Sequence, residues 1–198
     1  MRITAAVIAA SITAVPLVSM PLVSMPVAHA QAPAPTAAPA PVPEAMPFDI
    51  PYGTPISLEQ ANKAIAAAAA EAKKHNWKMS ISVVDPGGNL VAHATMDGTQ
   101  YASIPISQAK AQTSALYRRA SGVFQGAVNT NGSPSSLSLL AITHGVASEG
   151  GFPIVIDGKL VGAIGASGGI FTQDAVTAKA GLEAVTGPNG VEKTATTK

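Results

Sequence analysis

Cysteine is absent from the 198 residues. That excludes disulfides and the lipid-modified cysteine that would anchor a lipoprotein. Aromatic residues make up only 4% of the chain, so few large side chains are available to fill a core. Charge of one sign is lacking as well: 12 Lys and Arg stand against 11 Asp and Glu, which leaves no basic footprint for nucleic acid. Histidine occurs without H-x-H or H-E-x-x-H spacing, so no preformed zinc site is written into the sequence.

What is present is unevenly distributed. Arg2 precedes a long apolar run that closes on Ala28-His29-Ala30 and carries PLVSM twice in tandem. A positive start, an apolar stretch and an A-x-A site describe a cleaved signal peptide over residues 1–30, hence a periplasmic or secreted protein with no stable membrane anchor. Pro16, Pro21 and Pro26 inside the run argue against a transmembrane helix. Residues 31–51 are rich in proline and alanine and read as an extended linker. The folded domain is then residues 52–187, with a flexible tail over 188–198.

Ser57-Leu58-Glu59-Gln60 forms a capping box. The helix after it, to about His75, places Leu58, Ala61, Ile65, Ala68 and Ala72 on one stripe. Residues 79–85 alternate Met79, Ile81 and Val83 with Ser80 and Ser82, as a half-buried strand does, and Pro86-Gly87-Gly88-Asn89 turns into a second strand from Leu90 to Thr95. Ser103 is placed to cap a second helix, with Ile106, Ala109, Thr113, Leu116 and Ala120 inward and Arg118 and Arg119 in its last turn. Residues 129–136 read as a loop, and residues 137–142 as either helix or strand. Asp157-Gly158 joins two apolar runs into a second hairpin. A final helix over residues 172–185 turns Ala175, Ala178, Leu182 and Val185 inward, and Gly181 within it, at a cost of ~1 kcal/mol against alanine, marks tight packing. Hairpins covered by separate helices make an α+β domain on an antiparallel sheet.

Two catalytic patterns in the second hairpin fail. Pro153 stands where a phosphate-cradling G-x-x-x-x-G-K loop needs its first glycine. Gly165-Ala166-Ser167-Gly168-Gly169 fits G-x-S-x-G, yet no histidine follows Ser167 to complete a hydrolase order. Gly162, Ala163, Gly165 and Ala166 instead leave a bare sheet face that a helix or a flat ligand can approach. Ser167-Gly168-Gly169, before a helix, offers N–H groups to an anion.

The stretches ISVVDPGGNLVA, MDGT, KAQTSALYRR, EGGFPIVIDGKLVGAIGASGG and QDAVTAKAG, in this order, resemble the GlcG/HbpS family of haem-binding proteins across nearly the whole domain. Many members carry arginine before M-D-G, where this chain has Thr95. The resemblance implies a profilin-like antiparallel sheet flanked by helices, assembly into homo-oligomers, and non-covalent binding of haem or a related tetrapyrrole. Small-residue helix faces and scarce aromatics also favour burial between copies.

Haem iron takes His, Met, Tyr or Cys ligands. His93, on the second strand, and His144, near Gly150-Gly151, are the candidate iron ligands, each with an ordinary structural role open beside it. His75 reads as a solvated helix cap, and Met96 as core. Lys110 or Arg118 would pair with a propionate, and Thr113 would line the pocket, with Gly150, Gly151, Ser167 and Gly168 forming its glycine-rich side. In that pose haem lies between the K-A-x-T helix and the bare hairpin. Asp85 and Asp97 sit at turns, so no acid–base pair stands out, and the expected role is storage, buffering or sensing of haem. An enzyme degrading haem or acting on a small hydroxy acid, and a ligand-free structural subunit, are the alternatives.

Overall fold

The computed structural model describes residues 42, 44, 46, 48–131 and 134–188. The expected leader, most of the expected linker and the residues beyond Pro188 lie outside the described residues. Helix α1 (Leu58–Lys74) opens on the expected capping box: Gln60 N–H donates to Ser57 Oγ at 3.2 Å and Ser57 N–H to Gln60 Oε1 at 3.1 Å. Its buried face is Ala61, Ala64, Ile65, Ala68 and Ala72. Leu58 is exposed, contrary to the stripe read from the sequence, and Ile56, just before the cap, is buried in its stead.

Strands β1 (Ser80–Val84), β2 (Leu90–Thr95), β3 (Gly151–Ile156) and β4 (Lys159–Ser167) form one antiparallel sheet in the order β2-β1-β4-β3. The β3–β4 turn is the expected one, with Asp157 at φ 50° and Gly158 at φ 73°, the paired left-handed residues that a tight hairpin needs. Strand β1 is buried on both faces, Ser80 and Ser82 included, whereas alternation had implied one solvated face. The reason is a layer on each side. Helices α1 and α5 (Phe171–Thr186) cover one face around Ile81, Val83, Ile164, Ala166 and Leu182. Helix α2 (Ser103–Tyr117) covers the other, with Ala111 and Ala115 against Val84 and Ala163.

Helix α2 meets the sheet on a different face from the one its apolar pattern implies. Ser103, Ser107, Lys110, Ala111, Ser114 and Ala115 are buried together with Thr113, while Ile106 and Leu116 are exposed. The cause is Gly165: a Cβ there would fall inside contact distance of Ser107 O and 2.6 Å from Ala111 N, so helix backbone lies directly on strand backbone. Only small side chains fit such an approach. Ser103 is the first buried residue of the helix and not its cap, a place taken by Ala102 without a side-chain bond. The helix ends at Tyr117, so Arg118 (φ 55°) is its left-handed C-cap and Arg119 lies beyond it.

Residues 129–136 are largely helical, not a loop. Helices α3 (Gly122–Asn131) and α4 (Pro134–Ile142) approach to within two residues of each other. Pro134 opens α4, where a missing N–H costs nothing. In α5 the buried residues are Asp174, Thr177, Ala178, Gly181 and Leu182, with Val185 partly buried against them and Ala175 half-buried. A Cβ on Gly181 would lie 2.7 Å from Ala64 O, which confirms the tight packing read at that position. No helix among the described residues is long and apolar enough to cross a membrane.

Candidate functional site

The bare face of β4 is closed on both sides by helices. From Leu160 to Ser167 only Val161 is other than buried, so a flat ligand cannot lie between α2 and the hairpin. Gly165 serves the docking of α2, and Gly162 the close approach of Val84 O and Ile56.

Lys110, Gly150, Gly151 and Gly168 nevertheless come together, around a residue missed by the sequence reading, Asp174, whereas Ser167 is buried in the pairing of β4 with Ser80 of β1. Lys110 Nζ donates to Asp174 Oδ2 at 2.6 Å, with the two side chains 1% and 2% exposed. Lys110, expected to pair with a propionate, is therefore engaged in a buried ion pair within the protein. Asp174 Oδ1 also accepts the Gly169 N–H at 3.0 Å, so the glycine-rich turn after β4 spends that donor on the protein's own carboxylate. Burial raises the Asp174 pKa, and the bonds from Lys110 and the backbone N–H groups of Gly169 and Gly168 oppose the rise. Gly150, at φ 110°, leaves the room this pair needs: a Cβ there would sit 3.1 Å from Lys110 Nζ and 2.8 Å from Asp174 Cβ. Gly151 donates its N–H to Ser121 Oγ at 3.0 Å. On the solvent side of Gly150 is a cavity of about 240 Å³ whose lining includes Glu149, Phe152, Val123 and Lys179. Asp174 was visible in the sequence as the acid in the first turn of the last helix, within QDAVTAKAG, but an apolar stripe does not mark a buried acid.

A second group gathers at the C-terminal half of α2. Thr113 Oγ1 donates to Ala109 O at 2.7 Å and accepts the Val146 N–H at 2.9 Å. Tyr117 Oη bonds to Leu139 O and to Thr143 Oγ1, each at 3.0 Å, and so ties the end of α4 to α2. His144 follows Thr143 at φ 52°, exposed, with no side-chain partner among the described residues. Arg118 stands at this same helix end, one residue past Tyr117.

His93 belongs to neither group. Its Nδ1 pairs with Ser82 Oγ and its Nε2 with Thr95 Oγ1, both at 2.8 Å, and Ser82 Oγ continues to Ser107 Oγ on α2 at 2.8 Å. An iron bond would have to displace one of these hydroxyls. Burial lowers the His93 pKa from its ordinary 6.5, because the charged ring would lose water. As pH falls through about 6.5 the unfolded chain takes up this proton first, so stability is lost from there down to the folded value. Urea midpoints followed from about pH 8 to 5 should accordingly fall more steeply for the unmodified protein than for His93→Gln, and equal slopes would remove His93 from the acid response. Asp85 keeps its turn role, its Oδ1 accepting the Asn89 N–H at 2.9 Å, and His75 caps α1, bonded to Glu71 Oε1 at 3.1 Å and stacked on Trp77.

The domain that carries the two groups is similar to known proteins. A family model described as "Haem degrading protein HbpS-like" matches residues 56–183. Protein GlcG of Escherichia coli strain K12 is 42% identical over 112 residues, which is 57% of this chain and 81% of GlcG. A double mutant of HbpS from Streptomyces reticuli has a similar structure, with a TM-score of 0.62 at 28% identity over 75% of this chain and 98% of that one. The PduOC:heme complex gives a TM-score of 0.61 at 24% identity, over 66% of this chain and 95% of PduOC, a likeness that speaks for the fold alone. The family match spans the whole sheet, α1 through α4, and α5 as far as Glu183, including Lys110, Asp174, Arg118 and His144. The chain belongs to the HbpS-like family.

Proposed function

We propose that this protein is an exported, non-enzymatic binder of haem or a related tetrapyrrole, acting in haem storage, buffering or sensing as a homo-oligomer. Family membership supports the ligand, and the name of the PduOC:heme complex shows that a protein of this fold holds one. Export is carried by the leader alone. Cavities of about 240, 310, 330 and 370 Å³ among the described residues stand at or below the low end of ligand pockets, ~300–1,000 Å³, which favours a tetrapyrrole lying against the surface or between copies.

The observation that carries the reading is the second group: an exposed, unengaged imidazole, His144, held through Thr143 and Tyr117 to the helix end that bears Arg118. These residues fit the group, with His144 for the iron and the guanidinium fork for a propionate. When bound, haem would supply the iron centre and its visible band.

Titration of haemin into the purified protein should produce a Soret shift. His144→Ala should move the band and weaken binding by about tenfold or more, a scale on which even supporting partners of a metal ligand act. His93→Ala should leave the band in place. An unchanged spectrum in His144→Ala would exclude that ligand, and no haemin binding at all would end the reading. The family description also names degradation, so product analysis with a reductant separates a binder from an enzyme.

A further inference from the structure

The two arginines at the end of α2 are covered by the chain's own approach to the domain. Arg118 Nη1 donates to Ile50 O at 3.0 Å, stands 4.0 Å from Asp49 Oδ1, and its guanidinium carbon lies 5.5 Å from the centre of the Tyr52 ring. The Arg119 guanidinium lies 3.6 Å from the centre of Phe48, with Phe124 and Tyr117 at 5.2 and 5.9 Å. Past these contacts the segment is pinned to β4: Leu160 N–H donates to Pro51 O at 2.8 Å, and Gly53 N–H to Leu160 O at 2.7 Å. A cleft of about 330 Å³ is lined by Tyr52, Pro86, Gly87 and Leu116.

Two features separate this strap from ordinary packing. Leu116, both arginines and the Pro86-Gly87 turn lie within the family match over residues 56–183, whereas Phe48, Asp49, Ile50 and Tyr52 lie outside it. The hold ahead of the β4 pairing is also light. Asp49 is 76% exposed at a separation of 4.0 Å, and Phe48 sits at φ 64°, a left-handed conformation that costs a side-chain-bearing residue roughly 1–2 kcal/mol. A strained aromatic on one guanidinium and a carboxylate beside the other are the contacts that a flat, carboxylate-bearing aromatic molecule would make there.

We propose that residues 48–50 are an internal ligand, seated on the Arg118 and Arg119 anchor, which a flat aromatic carboxylate must displace in order to bind. This rests on reading Arg118 as the anchor for a carboxylate of the proposed tetrapyrrole. Binding and strap release are then one event, and a strap closed about nine-tenths of the time lowers apparent affinity about tenfold.

The test uses the purified protein with two probes, naphthalene-2,6-dicarboxylate and haemin, and reads chymotryptic cleavage at Phe48, with Tyr52, held to β4, as the reference site. The dicarboxylate should speed cleavage at Phe48 and leave cleavage at Tyr52 unchanged. The double variant Phe48→Ala/Asp49→Asn should bind it about tenfold tighter than the unmodified protein. Arg118→Asn, which keeps a residue tolerant of the left-handed cap, should be cut quickly with or without the probe. A cleavage rate at Phe48 or a double-variant affinity that stays at the unmodified value overturns the strap. If the dicarboxylate opens the strap and haemin does not bind, the haem reading fails alone. If haemin binds and the strap stays protected, the strap fails alone.

Discussion

Asp174→Ala should destabilise the domain by about 3–5 kcal/mol, because it leaves the Lys110 ammonium buried without its counter-charge. The Lys110 side chain is 1% exposed and Asp174 Oδ2, at 2.6 Å, is the hydrogen-bond acceptor of its Nζ among the described residues. The substitution also strips the Gly169 N–H of its acceptor. Asp174→Asn separates the two losses, since an amide oxygen can still accept from Gly169 while the lysine stays unpaired. Lys110→Met/Asp174→Leu should recover most of the stability, as apolar replacements of buried pairs often do. Urea unfolding of the four proteins reads the series directly. A loss below about 1 kcal/mol in Asp174→Ala would mean that water reaches the pair, against its observed burial.

Gly165→Val should be as damaging by a different route. Its added carbons would enter the space of Ser107 O and Ala111 N, and α2 would have to lift off β4 to admit them. Overpacking usually costs about 1–3 kcal/mol; here the obstacle is backbone on both sides, so the loss should reach or pass the upper end. The His93–Ser82–Ser107 chain crosses the same interface and should open with it. Gly126→Ala is the contrast. That glycine lies inside α3 with nothing within 4 Å of an added Cβ, so alanine there should stabilise by about 1 kcal/mol. Similar melting temperatures for Gly165→Val and the unmodified protein would show that α2 does not bear on the strand as described.

The sequence by itself determined the features whose partners are neighbours in the chain. The Ser57–Gln60 capping box, the left-handed Asp157-Gly158 turn and the Asp85–Asn89 turn each close within a few residues, so their geometry follows from residue type and spacing. The five ordered motif blocks carried the family in the same way. Tertiary structure decided the rest. Lys110 and Asp174 are 64 positions apart and meet only because the sheet order brings α2 and α5 to the same end of β4. Helix α2 buries serines in place of Ile106 and Leu116 because Gly165 admits its backbone, a constraint set by a residue 58 positions from Ser107. His93, a candidate ligand by residue type, has both ring nitrogens engaged in a hydroxyl chain whose members come from β1, β2 and α2. Periodicity reports how apolar a face is; it does not report how close the opposing backbone will come, and at this sheet that distance chose the face.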